Sequence, residues 1–519
     1  MKLEIKKQLW YLVGWMFLLV LGNVIWLSLD KNTPAWDQAA HLRGVIMARE
    51  WMRESFSTFA KATADKGGNF GELIKSFGGY PPLIYFMGAV WSWIAGVSIA
   101  KITFLNTLFL AAAMVGVYKL AGKKILPVIL FSLFPVIYDI SRNMLLDLPL
   151  TVWVIWGLYF WMKKNEGGML LMLILASLTK LNGFLYFGPI VLMMIGENYK
   201  NKEFWMRAVI GAAIYSVAVG WWWGINGHNI YEYLTGLAGS GEKLTDPMNL
   251  LDWRTWIHYF RLFLVTQVGP VTALVFLIFG KKENKKLIWW TVLTYVIFTI
   301  IKNKDFRFTM PILAVVAVWL GSILPSGVDQ GLTGDPPLTS RVRQVLVGFL
   351  LLWMGVNYVE NSFNWPWKKP MIVSTPTFLL GDINWINFSE YPVREFRREV
   401  WPQKEIMSQI EDGKGRSVMV AMLMNQAELN DNNLMLEMEM ENRHSIEIHG
   451  IYQWGEMDFD YIVVPDLNTQ SAPFYDVMLT ARTEAIRQVW NNIDQYQIVG
   501  EYNLPRGGKV YLLTTKNPQ

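Results

Sequence analysis

The sequence predicts a mainly α-helical, polytopic membrane protein with a small α/β domain at its C-terminal end. Three observations carry this. Of the 519 residues, 53% are hydrophobic and only 17% charged, whereas a soluble chain has about 25% charged residues. The apolar residues fall in blocks long enough to cross a bilayer as helices. Beyond about residue 400 the pattern changes to short apolar strands alternating with helices. There is no cysteine, which excludes disulfides, thiolate metal sites and a cysteine nucleophile. The net charge of +5 is small for this length. Its basic residues sit in short clusters between apolar blocks, the pattern of topology signals, and no nucleic-acid surface is expected.

The first apolar block, 10–29, is too long for a signal-peptide core and reads as a retained helix. Further blocks lie at 103–121, 124–140, 146–162, 168–180, 184–197, 206–224, 258–279, 287–301, 308–324 and 343–360. Together they predict about 11 spans, with 11–13 as the range. The stretch 82–100 either crosses or lies along the surface, and charge decides between the two. Lys2, Lys6 and Lys7, then Lys123–Lys124, Lys163–Lys164, Lys200 with Lys202, the run KKENKK, and Arg341 with Arg343 fall on one side only if 82–100 does not cross. Basic loops stay cytoplasmic, so the N-terminus is expected inside and the C-terminal domain outside a multi-pass plasma-membrane protein.

The expected division is a membrane domain at 1–360 and an extracytoplasmic α/β domain at 361–519. The first outer loop would cover 30–102 and the second, larger one 225–257. The segments 57–71 and 326–340 read as a flexible insertion and a solvated linker. In the C-terminal domain, a helix is expected over 403–411 and 474–490. Strands are expected at 417–423, 460–466, 496–502 and 509–515, with no glycine-rich phosphate loop.

This topology gathers the chemically capable residues on the outer side. Asp37 and His41 are four apart and share a helix face. They can polarise a hydroxyl or offer two ligands to a divalent cation, or be a dipole-favoured acid and an interfacial aromatic. Asp147, in SRNMLLDLPL, lies near the outer boundary, where an ionisable residue normally faces a cavity or a partner. Arg142, five residues earlier, is a candidate partner. Lys180, Lys302, Lys304 and Arg307 run against the positive-inside rule, and a phosphate head group would account for them; snorkelling or pairing with Asp305 is the plainer alternative. Tyr80, before Pro81 and Pro82, can contribute a hydroxyl. His228, among aromatics at the start of the second outer loop, is a weaker ligand candidate.

The order of these pieces resembles the GT-C glycosyltransferases, in particular the protein O-mannosyltransferase and aminoarabinose-transferase branch. The matching elements are Asp37 after the first span, Pro81-Pro82-Leu83, Arg142 with Leu146-Asp147-Leu148-Pro149-Leu150, Leu178-Thr179-Lys180, and Arg307-Phe308 before Pro311. They cover roughly residues 10–320 in order. Two departures stand out. Gln38 follows Asp37 where many relatives have Glu, and Tyr80 stands where many have His or Lys, which weakens a metal role there.

The resemblance implies an inverting membrane glycosyltransferase with a polyprenyl-phosphate-linked sugar donor and a lipid, glycan or protein acceptor. Membrane lipids are the expected surroundings. It implies Asp37 and Asp147 as catalytic residues, and Arg142, Lys180, Lys304 and Arg307 as donor-phosphate ligands. His41, Tyr80 and His228 would bind acceptor. No cofactor is certain; a divalent cation would draw on Asp37, His41 and His228. The competing readings are a transporter or flippase for lipid-linked sugars and a helical anchor for a C-terminal binding domain. The first expects repeated halves and polar residues at mid-membrane depth, and neither is evident.

Overall fold

The computed structural model describes residues 2–60, 70–235, 249–280, 284–323, 337–365, 373–377, 381–386, 397–411, 416–451, 454–455, 458–469 and 478–516. Most of the flexible insertion and the linker expected from sequence, and part of KKENKK, lie outside these residues.

The chain is helical through its first two thirds. Helix α1 (Lys2–Leu29) is followed, after a non-helical stretch, by α2 (Asp37–Ala60), α3 (Phe70–Ser76) and α4 (Leu83–Ala95). Next come α5 (Ile99–Leu120), α6 (Leu126–Ser132), α7 (Pro135–Ile140), α8 (Asp147–Met162) and α9 (Glu166–Ser177). After a 3-10 turn (Leu181–Tyr186) follow α10 (Gly188–Asn198), α11 (Lys202–Thr235), α12 (Trp253–Leu262), α13 (Pro270–Phe279) and α14 (Lys285–Ile300). A second 3-10 turn (Phe306–Thr309) leads into α15 (Met310–Gly321), and α16 (Pro337–Phe363) closes the helical part.

Among the described residues, four helices are long and apolar enough to cross a membrane: Lys6–Leu29, Ile99–Leu120, Lys202–His228 and Arg341–Phe363. A fifth crossing is available if α12 and α13, bent by 118°, are one broken span. The protein is therefore integral to a membrane. Several expected spans are shorter or broken, for local reasons. Pro135 lacks an N–H and holds Phe134 extended, splitting 124–140 into α6 and α7. Gly269, at φ +83°, turns the chain before Pro270 and splits 258–279. Helix α4 has 13 residues, too few to cross by itself. Conversely, α11 runs beyond the expected loop boundary at 225 to Thr235, because INGHNIYEYL contains no proline to stop it.

The buried apolar side chains of α2, α4, α5, α6, α8 and α15 form one continuous core. The C-terminal part holds a hairpin of β1 (Val373–Thr377) and β2 (Gly381–Ile386) and a five-stranded sheet. The sheet comprises β3 (Val418–Met422), β4 (Ile446–His449), β5 (Tyr461–Pro465), β6 (Tyr496–Asn503) and β7 (Lys509–Thr515), in the order β4-β3-β5-β7-β6. Strands β4, β3 and β5 are parallel, and β7 and β6 complete the sheet antiparallel. The period-2 alternation of side chains explains the layers. Val418, Val420 and Met422 face one core with α17 (Gln403–Gln409) and α18 (Asp431–Glu441). Ala421, Ile462, Val464 and Leu513 face another with α19 (Leu479–Asn491). The α/β expectation holds. The sequence reading missed the β1–β2 hairpin, α18 and β4.

Candidate active site

Two helix N-termini and one short turn meet at a single guanidinium. Asp37 and Asp147 lie in the first turns of α2 and α8, where the partial positive charge of the helix end favours a carboxylate. Arg307 enters from the turn between α14 and α15. Its Nη2 lies 3.2 Å from Asp37 Oδ2, and its Nη1 3.7 Å from Asp147 Oδ2. Asp305 fixes Arg307 from two residues away. Its Oδ1 accepts from Arg307 N at 2.9 Å and Nε at 3.0 Å, while Oδ2 accepts from Nη2 at 2.6 Å. Gln267 donates to the Phe306 carbonyl and to Thr309 Oγ1, and Tyr186 donates to the Phe308 carbonyl at 2.6 Å. The turn carrying Arg307 is thus held from both flanks.

Lys180 completes the cluster. Its Nζ donates to Asp147 Oδ1 at 2.7 Å and sits 5.1 Å from the centre of the Phe308 ring. Gly183 allows this placement, because a Cβ there would collide with the Ala176 carbonyl at the end of α9. On α5, Asn106 donates to the Leu145 carbonyl at 2.8 Å and holds the loop before Asp147. Formally the cluster sets three carboxylates (Asp37, Asp147, Asp305) against two cations (Lys180, Arg307), a surplus of one negative charge.

The carboxylates differ in exposure. The side chains of Asp147 and Asp305 are 4% and 8% exposed, whereas that of Asp37 is 48% exposed. Asp37 is nevertheless surrounded by protein deeply enough for its solvation to be restricted. It therefore lines an open recess. Burial alone would raise its pKa, but Arg307 and His41 outweigh burial and hold the carboxyl below its ordinary value of 3.8.

His41, one turn along α2, shares a 2.9 Å hydrogen bond between Nδ1 and the Tyr85 hydroxyl and meets the Tyr80 ring edge-on at 4.9 Å. Burial lowers its pKa from 6.5 to about 4, against the opposing pull of Asp37. Its folded pKa lies below the unfolded one, so folding binds fewer protons between these values. The associated stability is present above pH 6.5 and is lost as pH falls towards 4. The thermal midpoint in detergent is expected to drop between pH 6.5 and 4.5, by the equivalent of on the order of 3 kcal/mol. In His41→Gln the drop should be smaller; a wild-type midpoint flat over this range would contradict the assignment.

Three sequence expectations need correction. Arg142 is not the partner of Asp147. It donates to Asn23 Oδ1 and Ser362 Oγ, each at 2.8 Å, and lies 5.1–5.4 Å from the ring centres of Tyr358, Trp26 and Tyr138. This buried cage ties α1, α7 and α16 together. Lys304 is buried, with Nζ on the Thr299 and Ile301 carbonyls at 2.7 and 2.8 Å. The free carbonyls ending α14 draw it there. His228 is exposed on α11, which packs against α3 and α9. Among the described residues no group of three or more His, Asp or Glu side chains converges as a metal site. Arg307 pairs with Asp37 Oδ2, and the Tyr85 hydroxyl pairs with His41 Nδ1. Sequence reasoning also missed Tyr85, Tyr186 and Gln267, whose roles depend on contacts 39–122 residues away. The Asp-x-Arg spacing of 305 and 307 was the one local signal for the turn.

Fold and cluster together define a class: a membrane-embedded helical bundle joined to an α/β domain, with a charged recess built from helix ends. Among solved structures, the chain is similar to the crystal structure of ArnT from Cupriavidus metallidurans bound to undecaprenyl phosphate. The match has a TM-score of 0.54 and 12% sequence identity, and covers 98% of this chain and 99% of that one. The apo state of the same protein matches with a TM-score of 0.53, 12% identity and the same coverage. The likeness is one of overall fold and extends over the whole chain. No family model matches the chain, and no curated protein sequence does.

Proposed function

We propose that this protein is a membrane glycosyltransferase that moves a sugar from a polyprenyl-phosphate carrier to a lipid, glycan or protein acceptor at the outer leaflet, with inversion. The observation that carries this is the convergence of Asp37, Asp147, Lys180 and Arg307 from four separate segments around an open recess. The solved neighbour that binds undecaprenyl phosphate has the same fold. An apolar cavity of about 210 Å³ between α12, α13, α14 and α15 includes Gln267 and Thr309, which fix the Arg307 turn. Its lining of Phe263, Phe276, Ile288 and Trp319 suits a short segment of a prenyl chain.

In the proposed reaction the acceptor oxygen attacks the anomeric carbon as the bond from that carbon to the phosphate oxygen breaks. The bonding pair leaves with the carrier phosphate, and Asp37 takes the acceptor proton. Arg307 and Lys180 stabilise the charge growing on the phosphate. Asp147 aligns both cations, and Tyr80 and His41 border the acceptor side. A carboxylate held below its ordinary pKa is a weak base, and the free cluster is already one charge negative. The donor phosphate must therefore displace Asp37 from Arg307. That exchange loosens the ion pair holding the carboxyl down and makes Asp37 a stronger base when substrate is present.

The proposal includes the topology of about 11 spans, with the N-terminus inside and both outer loops and the C-terminal domain outside. The test is to supply purified protein with a panel of labelled undecaprenyl-phosphate hexoses and pentoses and a membrane extract as acceptor source. Covalent label transfer is expected. Label that crosses a vesicle membrane still attached to its carrier would instead support a flippase.

A further inference from the structure

We propose that the C-terminal α/β domain positions Asp37 by clamping the non-helical stretch before it, with Trp36, Asn425 and Asn433 as positioning residues. The part concerning rate rests on the transferase reading above; the part concerning order at Asp37 does not.

Residues 30–36 join the end of α1 to the start of α2 and have no helix or strand of their own to set their path. Their polar groups are taken up by the C-terminal domain almost residue by residue. Asp30 Oδ1 accepts from Arg397 N at 2.8 Å, and Lys31 N donates to the Arg397 carbonyl at 2.7 Å. Asn32 Nδ2 reaches Glu428 Oε1 at 3.4 Å, and the Pro34 carbonyl accepts from Asn433 Nδ2 at 2.6 Å. Trp36 N donates to the Ala427 carbonyl at 3.0 Å, and its indole N–H reaches Asn425 Oδ1 at 3.4 Å. Two turns into α2, Arg43 meets Glu439 at 3.4 Å and Met435 Sδ at 3.1 Å, both on α18.

Trp36 itself is the sharpest sign of a clamp. Its φ is +30°, a conformation that L side chains rarely adopt and that persists only where the surroundings over-determine it. It is the residue immediately before Asp37. From there the chain must enter α2 at the angle that brings the carboxylate to Arg307. The carboxylate's own shell is thin, because half of its surface is open and its hydrogen bond into the cluster is the 3.2 Å contact from Arg307. The direction of α2's first turn therefore decides where the carboxylate sits. A shift of about 1 Å in a reacting group can cost on the order of 100-fold in rate.

The grip is separable from the folding of the domain. Asn433 Oδ1 accepts from Asn430 N at 3.1 Å, one half of the capping box that starts α18, while its Nδ2 holds Pro34. Asn433→Asp keeps the capping acceptor, and an acid suits the first turn of a helix; it removes the donor to Pro34. Trp36→Phe keeps a ring and removes the indole donor.

The experiment is hydrogen exchange on the full-length protein in detergent, read over residues 34–40, for wild type, each single variant and the double variant. Exchange there is expected to rise about tenfold in the double variant, with residues 303–310 unchanged and the thermal midpoint of the C-terminal domain retained. With a labelled donor, kcat should fall about tenfold at nearly unchanged donor KM, and Asn433→Gln, which keeps the amide donor, should recover part of it. Wild-type exchange over 34–40 in the double variant overturns the clamp. So does an unchanged kcat in a protein whose Asp37→Asn form is inactive. If Asp37→Asn keeps its rate while exchange at 34–40 still rises, the clamp stands and the transferase reading fails.

Discussion

Asp37→Asn is expected to lower sugar transfer by about a thousandfold while the protein still folds and inserts. The substitution preserves shape but removes the proton acceptor. Arg307 keeps Asp305 at 2.6 Å and Asp147 at 3.7 Å, so no buried charge is stranded. The cluster changes from three carboxylates against two cations to two against two. Binding of undecaprenyl phosphate should therefore be retained or tightened, because Asp37 no longer competes for Arg307. A fall in kcat with intact or stronger carrier binding is the signature, read by transfer rate and by carrier-induced shift of the melting temperature. Near-normal transfer by this variant would sink the catalytic assignment.

Arg307 carries the second large effect, of a different kind. Its side chain is 10% exposed and is bonded or paired to three carboxylates. Burial would lower its pKa, but Asp305, Asp147 and Asp37 together raise it further above its already high ordinary value. Arg307→Ala leaves those carboxylates facing one another, with Lys180 on Asp147, and breaking a buried pair in this way costs about 3–5 kcal/mol. Loss of stability and of carrier binding is expected together. Arg307→Lys restores a charge but cannot serve three acceptors with a planar fork. It should recover much of the melting temperature while transfer stays about 100-fold down. An Arg307→Ala protein that melts and turns over like wild type would remove Arg307 from the site.

Much of this site was legible along the chain because basic residues expected on the outer side and an acid at a span boundary stand out in a membrane protein. Asp147, Lys180 and Arg307 stood out in this way and Asp37 by its place after the first span, and all four converge. Arg142, singled out as a partner for Asp147, and Lys304, singled out with the basic set, are placed otherwise. One is a buried tie between helices and the other caps α14. Charge against topology marks a residue that needs a partner, but does not say which partner.

The sequence by itself determined the membrane class, the α/β character of the C-terminal part and the candidate set, since these follow from hydropathy, period and charge along the chain. Only the tertiary structure decided that Arg307 bridges three carboxylates, that Lys180 belongs to Asp147, and that the segment before Asp37 is held from residues near 430. Apart from Asp305 and Arg307, two residues apart, these pairings join positions 33 to almost 400 residues apart. Side-chain pairing is a property of the packed surface, and the periodicity of a chain carries no record of which distant surfaces meet.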